Sequence, residues 1–131
     1  MTLPSIFAVL VNAIPPTIAD VSVCPEVLWP PNHKAVDVFV SGRVFDVGSG
    51  LAQVWLVLVD EYGELSDEFY DVTDLIGDDG GFEVPLELIV WRNADDLDGR
   101  LYTVSVSAVD GAGNEARSEP VFVIVPHDQG G

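Results

Sequence analysis

The fold is decided by the stretch from Leu101 to Val125, LYTVSVSAVDGAGNEARSEPVFVIV. Apolar and hydroxyl side chains alternate in its first part, from Tyr102 to Ala108, with the period of two that is typical of a half-buried strand. The segment Asp110–Asn114 then predicts a turn, because glycine and asparagine adopt positive φ at little cost. A second apolar run, Val121–Val125, follows. The stretch therefore predicts a β-hairpin.

The remaining chain predicts further strands rather than helices. It is 131 residues long with nine prolines and twelve glycines, enough for one domain built from short strands and turns. No window keeps the 3.6-residue period of an amphipathic helix. Alternating apolar residues bounded by turn residues predict strands at about 17–23, 35–46, 51–60, 67–73 and 82–91.

Side-chain alternation also predicts what these strands bury. In the first strand, Ala19, Val21 and Val23 are expected on the core face. The continuous apolar run Val54–Val59 predicts a strand that is covered on both faces. Pro85 places the strand at 82–91 at a sheet edge, because proline cannot donate to the ladder.

Three motifs occur in order: LWPPNHK (Leu28–Lys34), GRLYTVSVSAVDGAGN (Gly99–Asn114) and VPHDQ (Val125–Gln129). Together they resemble a family of bacterial extracellular immunoglobulin-like (HYR/cadherin-like) β-sandwich modules. The resemblance covers roughly residues 16–129. It implies an all-β Greek-key sandwich of about seven strands, whose last hairpin is 101–125, and an extracellular, cell-surface location. In this arrangement Trp29 is expected to plug one end of the core.

The charge balance restricts the partners. Twenty-two acidic residues face five basic ones, a formal net charge of −17. Nucleic acid and anionic membrane surfaces would repel such a chain, whereas divalent cations suit it. No segment is long enough to insert into a membrane as a helix. No G-x-S-x-G, P-loop or HExxH motif is present, so we do not expect an enzyme.

Residues 1–14, MTLPSIFAVLVNAI, form an uncharged apolar extension ahead of the sandwich domain at 15–131. Three interpretations compete. The extension is an extra strand that folds back on its own domain, or a signal-peptide remnant, since Val11-Asn-Ala13 resembles a cleavage site. Alternatively, it is a donor strand that adds to the sheet edge of a neighbouring copy.

Donor-strand assembly has a candidate acceptor. The last strand is apolar on both faces, with Phe122 and Ile124 on the side expected to meet water, which is unusual for a solvated strand. The donor residues would be Ile6, Phe7, Val9, Leu10 and Val11. Because head-to-tail donation does not close on itself, it predicts a pilus-like fibre made of copies of this chain.

Acidic loop residues predict calcium sites, since calcium takes six to eight oxygen ligands in flexible geometry. Asp46, Asp110 and Asn114 are expected at one end of the sandwich. Asp95, Asp96 and Asp98, in the run Asn93–Gly99, resemble an abbreviated calcium loop at the other end. Asp110 and Asn114 have a local alternative, because their side chains can cap the amides of their own turn.

A second function is also open at this point, that of an adhesion or carbohydrate-binding accessory module for a polysaccharide or a host or community surface. It would need exposed aromatic rings in a planar row, for which Trp55, Trp91 and Tyr62 are candidates. His33 and His127 could form a transition-metal pair, although His33 in the PPNHK crossing has the character of a structural plug. Cys24 has no partner for a disulfide within the chain.

Overall fold

The computed structural model describes residues 14–63 and 68–127. These residues contain eight strands and one short 3-10 turn, joined by loops, and no α-helix occurs among them. The strands are β1 Thr17–Cys24, β2 Ala35–Phe45, β3 Leu51–Asp60, β4 Glu68–Asp71, β5 Gly81–Ile89, β6 Arg100–Asp110, β7 Glu115–Arg117 and β8 Val121–Val125; the 3-10 turn is Thr73–Leu75. Within the described part of the chain, no helix has the length and apolarity needed to cross a membrane.

The strands form two antiparallel sheets, and the fold is the predicted all-β sandwich. One sheet has the order β1-β2-β5, and the other has the order β4-β3-β6-β7, with β8 also paired to β6. Strands β3 and β6 pair with each other rather than with β2 and β5, so the chain crosses between sheets as in a Greek key. The predicted last strand, Val121–Val125, is β8, and an additional short strand, β7, precedes it ahead of Pro120. The expected extra N-terminal strand lies outside the described residues.

The core lies between the sheets and is filled by alternate side chains of both. In β5 the alternating residues Phe82, Val84, Leu86 and Leu88 are buried, and Pro85 lies on an edge strand as expected. The buried apolar cluster consists of Val23, Leu28, Val38, Val40, Val44, Val54, Leu56, Leu58, Val72, Phe82, Val84, Leu86, Leu88, Val90, Tyr102, Val104, Val106, Ala108, Val123 and Val125.

The prediction for Ala19 is wrong because β1 contains a bulge. The register of β1 against β2 shifts between Ala19 and Ser22, and Asp20 adopts a φ of 58°. An extra residue in one strand reverses the alternation beyond it. As a result, Ile18 rather than Ala19 packs against the core together with Val21.

Two other burial predictions need correction. Trp29 remains 36% exposed, and the preceding Leu28, at 2%, fills the end of the core instead. The apolar run in β3 is covered on its core face, but Val59 on its outer face is 36% exposed. A continuous apolar run does not by itself show that both faces of a strand are covered.

The core side chains should dominate stability. Replacing Leu56, which is fully buried, with alanine should lower the free energy of unfolding by about 2–5 kcal/mol, because it leaves a cavity between the sheets. The matched control Leu97→Ala, at an exposed loop position, should change it by no more than about 0.5 kcal/mol. Urea denaturation measures both, and equal losses would contradict this description of the core.

Candidate functional site

A buried ion pair closes one end of the sandwich. Asp60 ends β3 and Arg100 begins β6, so the β3–β6 pairing brings their side chains together. Arg100 Nη2 donates to Asp60 Oδ2 at 2.7 Å, and Arg100 Nε donates to Asp60 Oδ1 at 3.0 Å. Both side chains are at least 99% buried. The two-point geometry is the arrangement in which arginine and a carboxylate pair most strongly.

Aromatic rings enclose the Arg100 guanidinium. Its Cζ atom lies 4.6 Å from the Tyr62 ring centroid, 4.8 Å from that of Tyr102 and 5.1 Å from that of Trp91. A cation is attracted to the face of an aromatic ring at these distances, and more strongly where water is excluded. Arg100 Nη1 also donates to the Trp91 carbonyl oxygen at 3.3 Å. Together these groups form a closed box around one buried charge.

The prediction that Trp91 and Tyr62 belong to an exposed planar row of sugar-binding rings is wrong, because both rings pack around Arg100 in this box. The Tyr62 ring meets Trp91 edge-on, at 69° between planes. His33 stacks on Trp91, with 5.3 Å between centroids and 12° between planes. His33 therefore has a structural contact of the kind expected from its place in the PPNHK crossing.

The three sequence motifs meet at this end of the sandwich. His33 comes from the first motif, and Arg100 and Tyr102 come from the second. The Tyr102 hydroxyl donates to the Ile89 carbonyl oxygen at 2.7 Å. From the third motif, the His127 carbonyl oxygen accepts a hydrogen bond from Arg92. These motif residues hold the end of the sandwich together, and their contacts explain them without a ligand.

The acidic loop between β5 and β6 is tied to the same box through one residue. Asp96 accepts a hydrogen bond from the Tyr62 hydroxyl at 2.5 Å, and that hydroxyl accepts the Asn93 amide N–H at 2.9 Å. Burial and the bond to Asp96 raise the pKa of Tyr62 above 10.0. Asp95 and Asp98 are exposed. The structure thus gives Asp96 a structural partner.

At the opposite end, Asp110 organises the turn between β6 and β7. Its Oδ1 accepts the backbone N–H groups of Ala112 at 3.0 Å and Asn114 at 2.8 Å, and its Oδ2 accepts the Asn114 side-chain amide at 2.9 Å. Burial tends to raise the pKa of Asp110, but the hydrogen bonds from Asn114, Ala112 and Gly113 outweigh it and lower the pKa. Asp110 therefore caps the backbone of its own turn, and Asn114 bonds within that turn, as the local alternative predicts.

Asp46 lies in a loop that is bonded to this turn. Its Oδ2 accepts the N–H groups of Gly48 at 3.1 Å and Gly50 at 2.8 Å, while its Oδ1 is buried with no hydrogen-bond partner among the described residues. The Gly50 carbonyl oxygen accepts the Gly111 N–H at 2.8 Å, which joins the two loops. The sequence correctly placed Asp46 and Asp110 at one end of the sandwich.

These groups do not form a ready-made calcium site. Among the described residues, no group of three or more His, Cys, Asp or Glu side chains is placed to hold a metal ion. The Asp110 carboxylate oxygens and the Asn114 amide are already used within the turn. Calcium binding therefore stays a prediction.

The edge of the last strand is partly covered. The Ile124 N–H donates to the Glu26 carbonyl oxygen, and the Ile124 carbonyl oxygen accepts the Leu28 N–H, each at 2.9 Å. Both backbone groups of Ile124 are therefore occupied and cannot bond to an incoming strand. Of the two predicted acceptor residues, this leaves Phe122, which is 50% exposed. The predicted donor residues Ile6, Phe7, Val9, Leu10 and Val11 lie outside the described residues.

A groove runs along the uncovered part of this edge. It has a volume of about 380 Å³ and lies between Ile18–Val21 of β1 and Arg117–Val121 around the break between β7 and β8. Because inward and outward backbone groups alternate along an antiparallel strand, those of Glu115, Arg117 and Phe122 point away from β6. Among residues 14–63 and 68–127, no strand pairs with this edge, and it borders a partly apolar groove.

No family model matches this chain, and neither the curated proteins nor the solved structures contain a match to it.

Sequence reasoning missed the pairing of Asp60 with Arg100, although the sequence contains a signal for it. Asp60 directly follows a continuous apolar run, and Arg100 directly precedes the alternating apolar residues that form the buried strand β6. Charged residues at the boundary of two adjacent core strands have to find partners, because an unpaired buried charge is very costly. Because the two residues are 40 positions apart, the pattern within any single strand does not reveal that they pair.

Removing one member of the ion pair should be more damaging than removing both. Arg100→Met should lower the free energy of unfolding by about 3–5 kcal/mol, because Asp60 is left buried and unpaired. The double variant Arg100→Met, Asp60→Leu should recover part of that loss. Arg43→Met, at an exposed arginine, serves as the control. Chemical denaturation compares them, and a double variant as unstable as the sum of the single ones would contradict a coupled pair.

Asp110 should make stability depend on acidic pH. Since its pKa is lower in the folded state than its ordinary 3.8, it stabilises the fold above about pH 4, and that contribution disappears as the pH falls through the folded pKa. Asp110→Asn should therefore reduce the unfolding free energy at pH 5–7 and approach the wild type near pH 2, as measured by denaturant titrations. Asp98→Asn, in an exposed loop, should show no such pH-dependent difference. A constant difference at all pH values would exclude the carboxylate charge as the cause.

Proposed function

We propose that the protein is a structural subunit of an extracellular fibre. Copies associate head to tail when residues 1–14 of one copy add as a strand to the open edge of β7–β8 in the next copy. The observation that carries this proposal is that the backbone groups of Glu115, Arg117 and Phe122 point away from β6 and pair with no other described strand, beside the groove against β1. The extracellular location rests on the resemblance of the three motifs to surface modules.

Charge favours the N-terminal segment as the part that makes the contact. Two copies that each have a net charge of −17 repel each other, and the repulsion grows as their acidic surfaces approach. Residues 1–14 contain no charged side chain, so this segment can dock without adding to the repulsion. The groove offers it Ile18, Val21 and Val121, which are only partly buried.

The energy of such a contact is moderate. Burying Phe7, Val9 and Val11 contributes roughly 1.5–3 kcal/mol for each side chain. Association costs about 4–15 kcal/mol in lost freedom, so these side chains alone do not hold two copies together. Backbone hydrogen bonds to the edge at Phe122 have to add to them. The contact should therefore be sensitive to changes at that edge.

The geometry of the contact determines the product. A segment of one copy that occupies a different surface on the next is a heterologous contact, and it continues into a filament unless its rotation closes a ring. Calcium acts in this account by screening the repulsion between acidic bodies rather than through a preformed site. A chelator should then shorten or dissolve filaments without unfolding the domain.

Two variants test strand addition. Phe122→Lys should abolish assembly, because a charged side chain on an edge strand opposes the pairing of another strand. Phe39→Lys is the matched control, at a similarly exposed position on the other sheet. Light scattering and electron microscopy of the intact chain, with calcium and with a chelator, should show assemblies for the wild type and the control.

Deleting residues 1–14 should leave a folded monomer with an unchanged denaturation midpoint. If the deletion instead lowers the stability of a chain that was already monomeric, the segment folds back on its own domain. A wild-type chain that is monomeric under both conditions would overturn the proposal.

A further inference from the structure

The outer face of the five-stranded sheet contains a second arrangement, centred on β3 and β4, which shares Glu115 and Arg117 of β7 with the edge proposed for strand addition. Asp71, Trp55, Ser107 and Arg117 are neighbours across β4, β3, β6 and β7 and share this face. Phe69 of β4 lies beside them and is 66% exposed. We call this row with Phe69 and Gln53 the Trp55 face. It brings two aromatic rings and several hydrogen-bonding groups together on a rigid sheet.

The Trp55 face contains two shallow hollows. One, of about 380 Å³, is lined by Gln53, Trp55, Phe69 and Asp71. The other, of about 300 Å³, is lined by Trp55, Val57, Phe69, Ser107, Glu115, Ala116 and Arg117. Because Trp55 and Phe69 line both hollows, the aromatic pair lies where they meet. A ligand that contacts both hollows has to cross these rings.

The polar groups of the first hollow are held in position. Asp71 Oδ1 accepts the Thr73 hydroxyl at 2.6 Å and the Thr73 N–H at 2.9 Å. These bonds, with a weaker contribution from Gln53, lower the pKa of Asp71, so its carboxylate is charged at neutral pH. Within the described part of the chain, Asp71 Oδ2 has one long contact, 3.4 Å from Gln53 Nε2. The carboxylate is therefore fixed by one oxygen and can accept further hydrogen bonds with the other.

Arg117 is fixed on the opposite side of Trp55. Its Nε and Nη2 each donate to the Ser105 hydroxyl at 3.1 Å. Arg117 is otherwise exposed at the margin of the second hollow. Fixed donors and acceptors thus flank the aromatic pair on both sides.

We propose that the Trp55 face binds a neutral polysaccharide chain. Sugar rings present an apolar face of C–H groups that can stack on Trp55 and Phe69, and hydroxyls that can bond to Asp71, Gln53 and Arg117. A few oriented polar groups around an apolar platform are the usual composition of a small-molecule site. The proposal does not depend on fibre formation.

The charge of the chain selects the ligand class. Asp71 and Glu115 lie on or beside the face, against one arginine, and the whole chain has a net charge of −17. Anionic polysaccharides would be repelled, and so would the same face of a second copy. A neutral ligand meets neither penalty. Because both hollows are open, each sugar should contribute weakly, and retention should grow with chain length.

The experiment is affinity electrophoresis of the intact chain in gels that contain a neutral polysaccharide, such as a β-glucan, a mannan or a xylan without acidic substituents, or the anionic polysaccharide alginate. At least one neutral polymer should retard the chain, and alginate should not. Trp55→Ala should weaken the retardation at least tenfold, measured as the polymer concentration that gives half-maximal retardation. Gln53→Ala should weaken it about threefold.

Phe39→Ala provides the matched control, since Phe39 is an exposed aromatic on the outer face of the other sheet. It should retain wild-type retardation, and circular dichroism and thermal unfolding check that every variant is folded. Absence of retardation by all neutral polymers would overturn the proposal, as would equal losses in the Trp55 and Phe39 variants. If Trp55→Ala changes only the oligomeric state, the face is an interface between copies, and the polysaccharide proposal is wrong.

Discussion

The buried pair of Asp60 and Arg100 is the interaction on which one end of this sandwich depends. A guanidinium this deep in a protein is tolerated only when its charge is matched and its donors are satisfied. Asp60 matches the charge, and Tyr62, Trp91 and Tyr102 surround the remaining faces of the group. The connections between strands at this end are positioned by that box, including the loop of Asp96. This explains why the three motifs meet there.

This rigid end contrasts with two surfaces that remain available for partners. The edge at Phe122 borders a groove, and the outer face has a shallow hollow on either side of Trp55. The two surfaces share Glu115 and Arg117 of β7, but the aromatic pair of the face belongs to β3 and β4. One copy can therefore assemble through its edge at Phe122 and contact a polysaccharide through Trp55 and Phe69. The function proposed from the edge and the inference from the face are therefore compatible, and each can fail alone.

Local patterns predicted much of the fold. Alternating apolar residues predicted a strand at 82–91, which is β5, and Pro85 indicated its edge position. The missing details depend on pairing between distant segments. The bulge at Asp20 appears only in the register against β2, and the covering of Ile124 comes from Glu26–Leu28. For the candidate sites, residue types pointed to carboxylates in the acidic loops, but the hydrogen bonds of these carboxylates are set by the turn geometry around them.

Cross-linking can show whether residues 1–14 bind the β8 edge of another copy. One copy carries Val9→Cys and the other Phe122→Cys, both with Cys24→Ala, so every mixed disulfide has to join two molecules. This pair should cross-link rapidly, and much faster than Val9→Cys with Phe39→Cys. Equal rates for the two pairs would contradict it. A disulfide that forms only when both cysteines are in one chain would also contradict it.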